Sequence, residues 1–122
     1  MIKNELRIGN WVSYGEHPRQ ITMLSATTQK VGIDAIISLL EVIEPIPLTF
    51  EILEKCGFVK DETKVGDWVN GNYRLRERVG AYSLYRDYEN EDIADYFADV
   101  KLIHQLQNLY FALTGEELNV QL

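Results

Sequence analysis

The chain has a single cysteine, Cys56, so no disulfide can form within it. A lone thiol suits a reducing compartment. Histidine is nearly as scarce: His17 and His104 lie far apart, and neither has a Cys or His at a ligand spacing, which argues against the zinc motifs and leaves no metal or cofactor expected. No apolar run approaches the roughly 20 residues of a membrane-spanning helix. The opening MIKNELRIGN also lacks the apolar centre of a secretory signal, so a cytoplasmic protein without a membrane partner is expected. Basic residues are outnumbered, 12 Lys and Arg against 19 Asp and Glu, for a formal charge of −7. That balance opposes general nucleic-acid binding, because the phosphate contribution needs a basic contact face, though a local patch can override it.

What is present fits one α+β domain over 1–122, with a β-rich part at 1–48 and a helix, hairpin and long helix at 49–122. A chain of this length buries about two thirds of its unfolded surface, enough for a core without staples. Asn10 to Leu24 alternates apolar and polar residues around Gly15 and EHPR, which predicts two strands and a turn. Thr27 to Ile33 predicts a third strand. Ile33 to Ile43 is rich in β-branched residues and is read as strand and turn, although Asp34 is also able to cap a helix there. Several short strands within some 45 residues suggest a small curved sheet, of which an SH3-like barrel is one form. Pro45 and Pro47 then prevent a helix from continuing through EPIPL.

Thr49 supplies an N-cap hydroxyl for a short helix from Phe50 to Cys56. Gly57 is placed to stop that helix in the left-handed region, with Phe58 folded back on Leu53. Cys56 is then a buried, inert thiol. Lys60 to Gly71 is charged and turn-rich and reads as a loop or poor edge strand. Tyr73 to Tyr88 divides at Val79 and Gly80 into two alternating runs. Pairing Arg78 with Ala81 sets Leu75 against Leu84 and Glu77 against Tyr82 on one face, whereas a one-residue slip mixes buried and exposed positions. Asp87 to Asp99 reads as an acidic loop leading to a strand or helix, and Leu118 to Leu122 alternates like a last edge strand.

Leu102, Leu106, Leu109 and Leu113 fall at i, i+4, i+7 and i+11, a stripe that predicts a long helix with a core face. Gly115 is its stop and Asp99 a candidate N-cap. The run HQLQNLYFALTGEEL from His104 to Leu118, with EPIPLT from Glu44 to Thr49 and LRIGN from Leu6 to Asn10, resembles a group of small uncharacterised proteins of gut-bacterial and phage genomes. The resemblance implies a phage or prophage context and assigns no site residues. It does not extend to Val59 to Asp99.

Two surfaces stand out. Arg74, Arg76 and Arg78 share one face of the hairpin, with Tyr85 opposite Arg74. Three guanidiniums at this spacing repel one another unless anions lie between them, and arginine matches phosphate or carboxylate bidentately. The anions are either a phosphorylated small molecule or nucleic acid, or internal acids such as Asp87, Glu89, Glu91, Asp92 and Asp95. The other surface is the side of the long helix carrying His104, Asn108 and Phe111 opposite the leucines. Either a protein partner or another copy of the chain covers Phe111, or the chain's own sheet does. Asp87, Glu89 and Glu91 imitate a calcium loop without its turn glycine or terminal glutamate. No nucleophile, base and orienting group can be named together, so the expectation is a non-catalytic protein-binding accessory protein, with an anion-binding hairpin face as the alternative.

Overall fold

A computed structural model describes residues 5–25, 30–33, 36–39, 42–87 and 94–122. The chain is α+β: nine strands in two antiparallel sheets, and two helices, among the described residues. It separates into two compact units. One comprises Met1–Pro47 with Leu102–Leu118, and the other Leu48–Lys101 with Asn119–Leu122. Sequence reading grouped the long helix with the hairpin; in the structure it belongs with the N-terminal strands.

The first unit opens with β1 (Trp11–Tyr14), β2 (His17–Ser25), β3 (Lys30–Ile33) and β4 (Ile36–Leu39), paired as a simple meander. The turn between β1 and β2 is tighter than EHPR suggested. Gly15 and Glu16 alone span it, both at positive φ, and Pro18 already lies in β2 opposite Ser13. β2 carries an irregularity between Ile21 and Met23 where it meets β3. Among the described residues the four strands are not joined into a closed barrel. Beyond β4 the chain returns to β1, where Ser13 and Glu44 exchange two backbone hydrogen bonds at 2.8 and 2.9 Å. Leu6, Val12, Ile21, Val31, Ile33 and Ile43 make the core, with Tyr14 and Leu24 packed on it. The predicted third strand is seen from Lys30 onward, and Thr27 to Gln29 lies outside the described residues.

The same unit contains α2 (Ile103–Thr114). It starts later than an Asp99 cap would place it. Leu102 is the N-cap, and Gln105 Oε1 accepts from Leu102 N at 3.2 Å in place of a capping hydroxyl. Gly115 ends α2 at φ 74°, as its position after the last periodic leucine predicts. The buried side is rotated from the leucine stripe. Ile103, His104, Leu106 and Gln107 are buried, while Leu102, Leu109 and Leu113 are half-buried.

The second unit begins with α1 (Phe50–Lys55), where Thr49 Oγ1 accepts from Ile52 N at 3.2 Å. Its end is a Schellman motif: Gly57 N donates to Glu54 O and Phe58 N to Leu53 O, and Leu53 and Phe58 are both buried. A five-stranded antiparallel sheet follows: β5 (Val59–Lys60), β6 (Asp67–Asn70), β7 (Tyr73–Arg78), β8 (Ala81–Asp87) and β9 (Ala94–Val100), in sequential order. The stretch read as a loop or poor edge strand contains a strand paired on both sides, β6, joined to β7 across Gly71 and Asn72. β7 and β8 pair in the predicted register, Leu75 with Leu84, Glu77 with Tyr82 and Arg78 with Ala81. Trp68, Leu75 and Leu84 are cross-strand neighbours on the buried face, and Phe50 of α1 stacks on Trp68 at 5.6 Å between ring centroids. Burying leucines such as these stabilises by roughly 2 kcal/mol each. Asp99 lies in β9, not at a helix start, and the last residues are not a strand: Gln121 N donates to Lys55 O instead.

Candidate functional site

Each unit carries one of the surfaces that the sequence singled out. In the second, alternation along β7 puts Arg74, Arg76 and Arg78 on the face opposite Leu75, and Tyr85 sits across from Arg74 as predicted. The three arginines are treated very differently. Arg74 donates from Nε to Asp87 at 2.8 Å, and from Nη1 to Asp61 at 2.6 Å and Asp67 at 3.1 Å. Burial opposes its charge, but these three carboxylates outweigh the burial and hold its pKa above the ordinary arginine value. Asp67 is only 2% exposed and serves Arg76 as well, accepting from Nε at 3.1 Å and Nη2 at 3.3 Å. Arg76 also lies over the Tyr85 ring, 5.4 Å from its centroid. Arg78, at the exposed end, donates from Nη2 to Tyr85 Oη at 3.1 Å.

Internal acids thus close one end of the arginine stripe, and two of the three were missed by sequence reading. Asp87 was named; Glu89, Glu91 and Asp92 lie outside the described residues. Asp61 and Asp67 were passed over with the supposed loop. A signal existed in Asn70-Gly71: extending that turn into a hairpin sets Asn70 against Tyr73 and so Asp67 against Arg76, the pairing observed. Asp61 accepts from the backbone and hydroxyl of Thr63 in addition to Arg74, which together hold its carboxyl well below the usual range. On β9, Asp99 Oδ1 accepts from Ser83 Oγ at 2.6 Å and Tyr96 Oη at 3.0 Å, and both bonds lower its pKa.

In the first unit, His104, Asn108 and Phe111 do lie on one side of α2, but the first two are used within the chain. His104 is fully buried, with Nε2 3.1 Å from Glu5 Oε2, so Nε2 carries the proton when the imidazole is neutral and the carboxylate ionised. Among the described residues its buried Nδ1 has no hydrogen-bond partner. Asn108 Oδ1 accepts from Asn10 Nδ2 at 2.7 Å and Arg7 Nε at 3.0 Å, while its Nδ2 donates to Glu5 O at 2.6 Å. Gln107, which the sequence did not mark, bonds the backbone of Gly9 and Trp11. Phe111 remains 40% exposed, with the Arg7 guanidinium 4.7 Å from its ring centroid. Glu117 holds that guanidinium from the other side, one contact to Nη2 measuring 3.1 Å. Ile8, next in the chain, is 57% exposed.

Cys56 and His17 offer no chemistry of this kind. The thiol is buried at the end of α1, and burial pushes its pKa up to about 12, far from a reactive thiolate. His17 is exposed on β2. Among the described residues no three His, Cys, Asp or Glu side chains are grouped to hold a metal ion, and no helix is long and apolar enough to cross a membrane. Set against models of known families, curated proteins and solved structures, the chain matches none.

Proposed function

We propose that this chain is an accessory protein of phage or prophage origin that acts by binding a protein, a partner or a second copy of itself, and not by catalysis. The phage context rests on the resemblance of LRIGN, EPIPLT and HQLQNLYFALTGEEL. The binding reading rests on one observation: Phe111 stays exposed beneath a guanidinium that Glu117 and Asn108 hold in place. An aromatic and an arginine, prepositioned so that little side-chain entropy is lost on docking, are the residue types that dominate protein interfaces. The contact surface is therefore Phe111, Arg7 and the exposed Ile8, with His104 and Asn108 as the support beneath it.

Sedimentation equilibrium over a range of concentrations, together with capture from a lysate of a host carrying the corresponding phage or prophage, tests this on wild type and Phe111→Asp. The expected result is an oligomer or one captured protein that Phe111→Asp loses while its circular dichroism is unchanged. A monomeric wild type that captures nothing Phe111→Asp does not also capture would overturn the reading.

A further inference from the structure

The second unit carries a separate feature. Its arginine stripe is charged unevenly. Asp61, Asp67 and Asp87 all gather on Arg74, Arg76 shares Asp67, and Arg78 has no carboxylate in contact among the described residues. Asp99 on β9 is near enough for Arg78 to lower its pKa, but its carboxylate does not contact a guanidinium of the stripe, so at the hairpin end guanidinium N–H groups are left without a carboxylate contact among the described residues. There, among the described residues, Arg76 keeps Nη1 without a protein partner, and Arg78 spends a single bond on Tyr85. Tyr85 Oη accepts that bond, so its own hydrogen is left to donate outward. Arg76 and Arg78 are two residues apart on one strand face, a spacing of about 6.7 Å that a single phosphoryl group can bridge between two guanidiniums.

Beside these donors stands a ring. Tyr96 is 55% exposed and lies 5.4 Å from Tyr85, tilted at 53°, with its hydroxyl anchored on Asp99. Asp99 is the carboxylate that faces the cluster, and one of its oxygens is taken by Ser83 and Tyr96. The geometry points to a phosphate-monoester site at the turn end of the β7–β8 hairpin, in which Arg76, Arg78 and the Tyr85 hydroxyl hold the phosphoryl oxygens. The ligand class is a nucleoside monophosphate, its base laid against Tyr96. Ring stacking and guanidinium contact are both tolerant of which base is present, so the site selects the phosphate and a flat ring and not a sequence.

Isothermal titration calorimetry with AMP, adenosine, inorganic phosphate and a 5′-phosphorylated trinucleotide tests it on wild type, Arg78→Ala, Tyr96→Ala and Asp99→Asn. Arg78 sits at an exposed hairpin end, so its replacement leaves the fold intact, which circular dichroism checks. AMP should bind saturably and adenosine should not. Affinity should fall about tenfold or more in Arg78→Ala, where a charge-assisted contact is lost, and rise in Asp99→Asn, where the competing carboxylate is gone. Inorganic phosphate should bind more weakly than AMP, with the difference removed in Tyr96→Ala. The trinucleotide separates two sources of the same group: tighter binding than AMP assigns a strand end, equal binding a free nucleotide. No saturable binding of AMP at millimolar concentration, equal affinity in wild type and Arg78→Ala, or adenosine matching AMP would each overturn the site. These outcomes are independent of the Phe111 experiments, which probe the other unit.

Discussion

The side-chain amide of Gln107 stands to Trp11 as a neighbouring strand would: its Oε1 accepts from Trp11 N at 2.8 Å and its Nε2 donates to Gly9 O at 3.0 Å. One glutamine thereby satisfies two backbone groups of the segment leading into β1, and it is itself buried. Truncation leaves the half-buried Trp11 N–H without its acceptor, at a cost of about 1–3 kcal/mol, while Gly9 O keeps the bond it accepts from Gln20 Nε2 at 3.0 Å. Gln107→Ala should lower the unfolding free energy by about 1–3 kcal/mol in urea titration, while Gln105→Ala, nearer the surface of α2, should cost under about 1 kcal/mol.

Asp67 holds both Arg74 and Arg76, and it is the most buried charge of the cluster. Removing the carboxylate strands Arg74, whose side chain is 12% exposed, with only the more exposed Asp61 and Asp87 for compensation. Breaking a buried pair from one side typically costs about 3–5 kcal/mol, because the remaining charge loses its partner without regaining water. Asp67→Ala should approach the lower end of that range in thermal or urea unfolding. Arg78→Ala, at the exposed end of the same stripe, should change stability by less than about 0.5 kcal/mol.

Two depressed carboxyls, Asp61 in this cluster and Asp99 on β9, make the stability of the fold sensitive to acid. Arg74 first, then Thr63, holds the Asp61 carboxyl below its ordinary value; Ser83 and Tyr96 do the same for Asp99. A carboxyl with a folded pKa below its unfolded one binds fewer protons when folded. Its contribution is present in full above about pH 5, begins to fall near the unfolded pKa of about 4 and is lost as the pH falls through the folded value. Urea midpoints should therefore be flat from neutrality to about pH 5 as far as these two groups are concerned, and fall steeply below about pH 4. Asp61→Asn should be less stable at neutral pH and show a shallower acid slope. A wild-type acid slope retained in that variant would remove Asp61 from the account.

How far the sequence disclosed this arrangement depended on whether a residue's partner lay nearby in the chain. The register of β7 and β8, the Thr49 cap and the Gly57 stop were all legible, because turn chemistry and period-two alternation act over a few residues. β6 was not, since Asp67 looks like a loop residue until Arg76 is set beside it. The polar side of α2 was left open between a partner and the chain's own sheet for a similar reason. On a helical wheel His104 and Asn108 lie opposite the leucines, yet these two and Gln107 are each matched to a group of Glu5–Trp11 about 100 positions away. The leucine periodicity located the helix correctly and its buried face only in part.

Gly32 tests the irregularity in β2. It pairs with Met23 just past the shifted register, and a Cβ there would come within 2.9 Å of Met23 Cβ and 3.2 Å of Thr22 Oγ1. Opposed Cβ atoms in antiparallel strands ordinarily stay about 4.5–5.5 Å apart, so the backbone of one strand must move. Gly32→Ala should cost about 1–3 kcal/mol in urea unfolding despite the better strand propensity of alanine. Gly80→Ala, at a turn with nothing within 4 Å but a φ of 74°, should cost only the local conformational penalty of about 1 kcal/mol.

Cys56 is the thiol a chemist would test first, and it should fail to react. Its side chain is 1% exposed and burial raises its pKa to about 12, so at neutral pH the thiolate fraction is on the order of 10⁻⁵. Attack on an aromatic disulfide reagent requires both thiolate and access, so labelling can proceed only through opening of the α1 end. Native protein should therefore show labelling many orders of magnitude slower than a free cysteine, while denaturant releases one rapid equivalent. Cys56→Ala should keep the fold, losing about 1–2 kcal/mol from the vacated volume. Rapid labelling of the native chain would mean that the Schellman end opens readily, and with it the support that Phe58 gives α1.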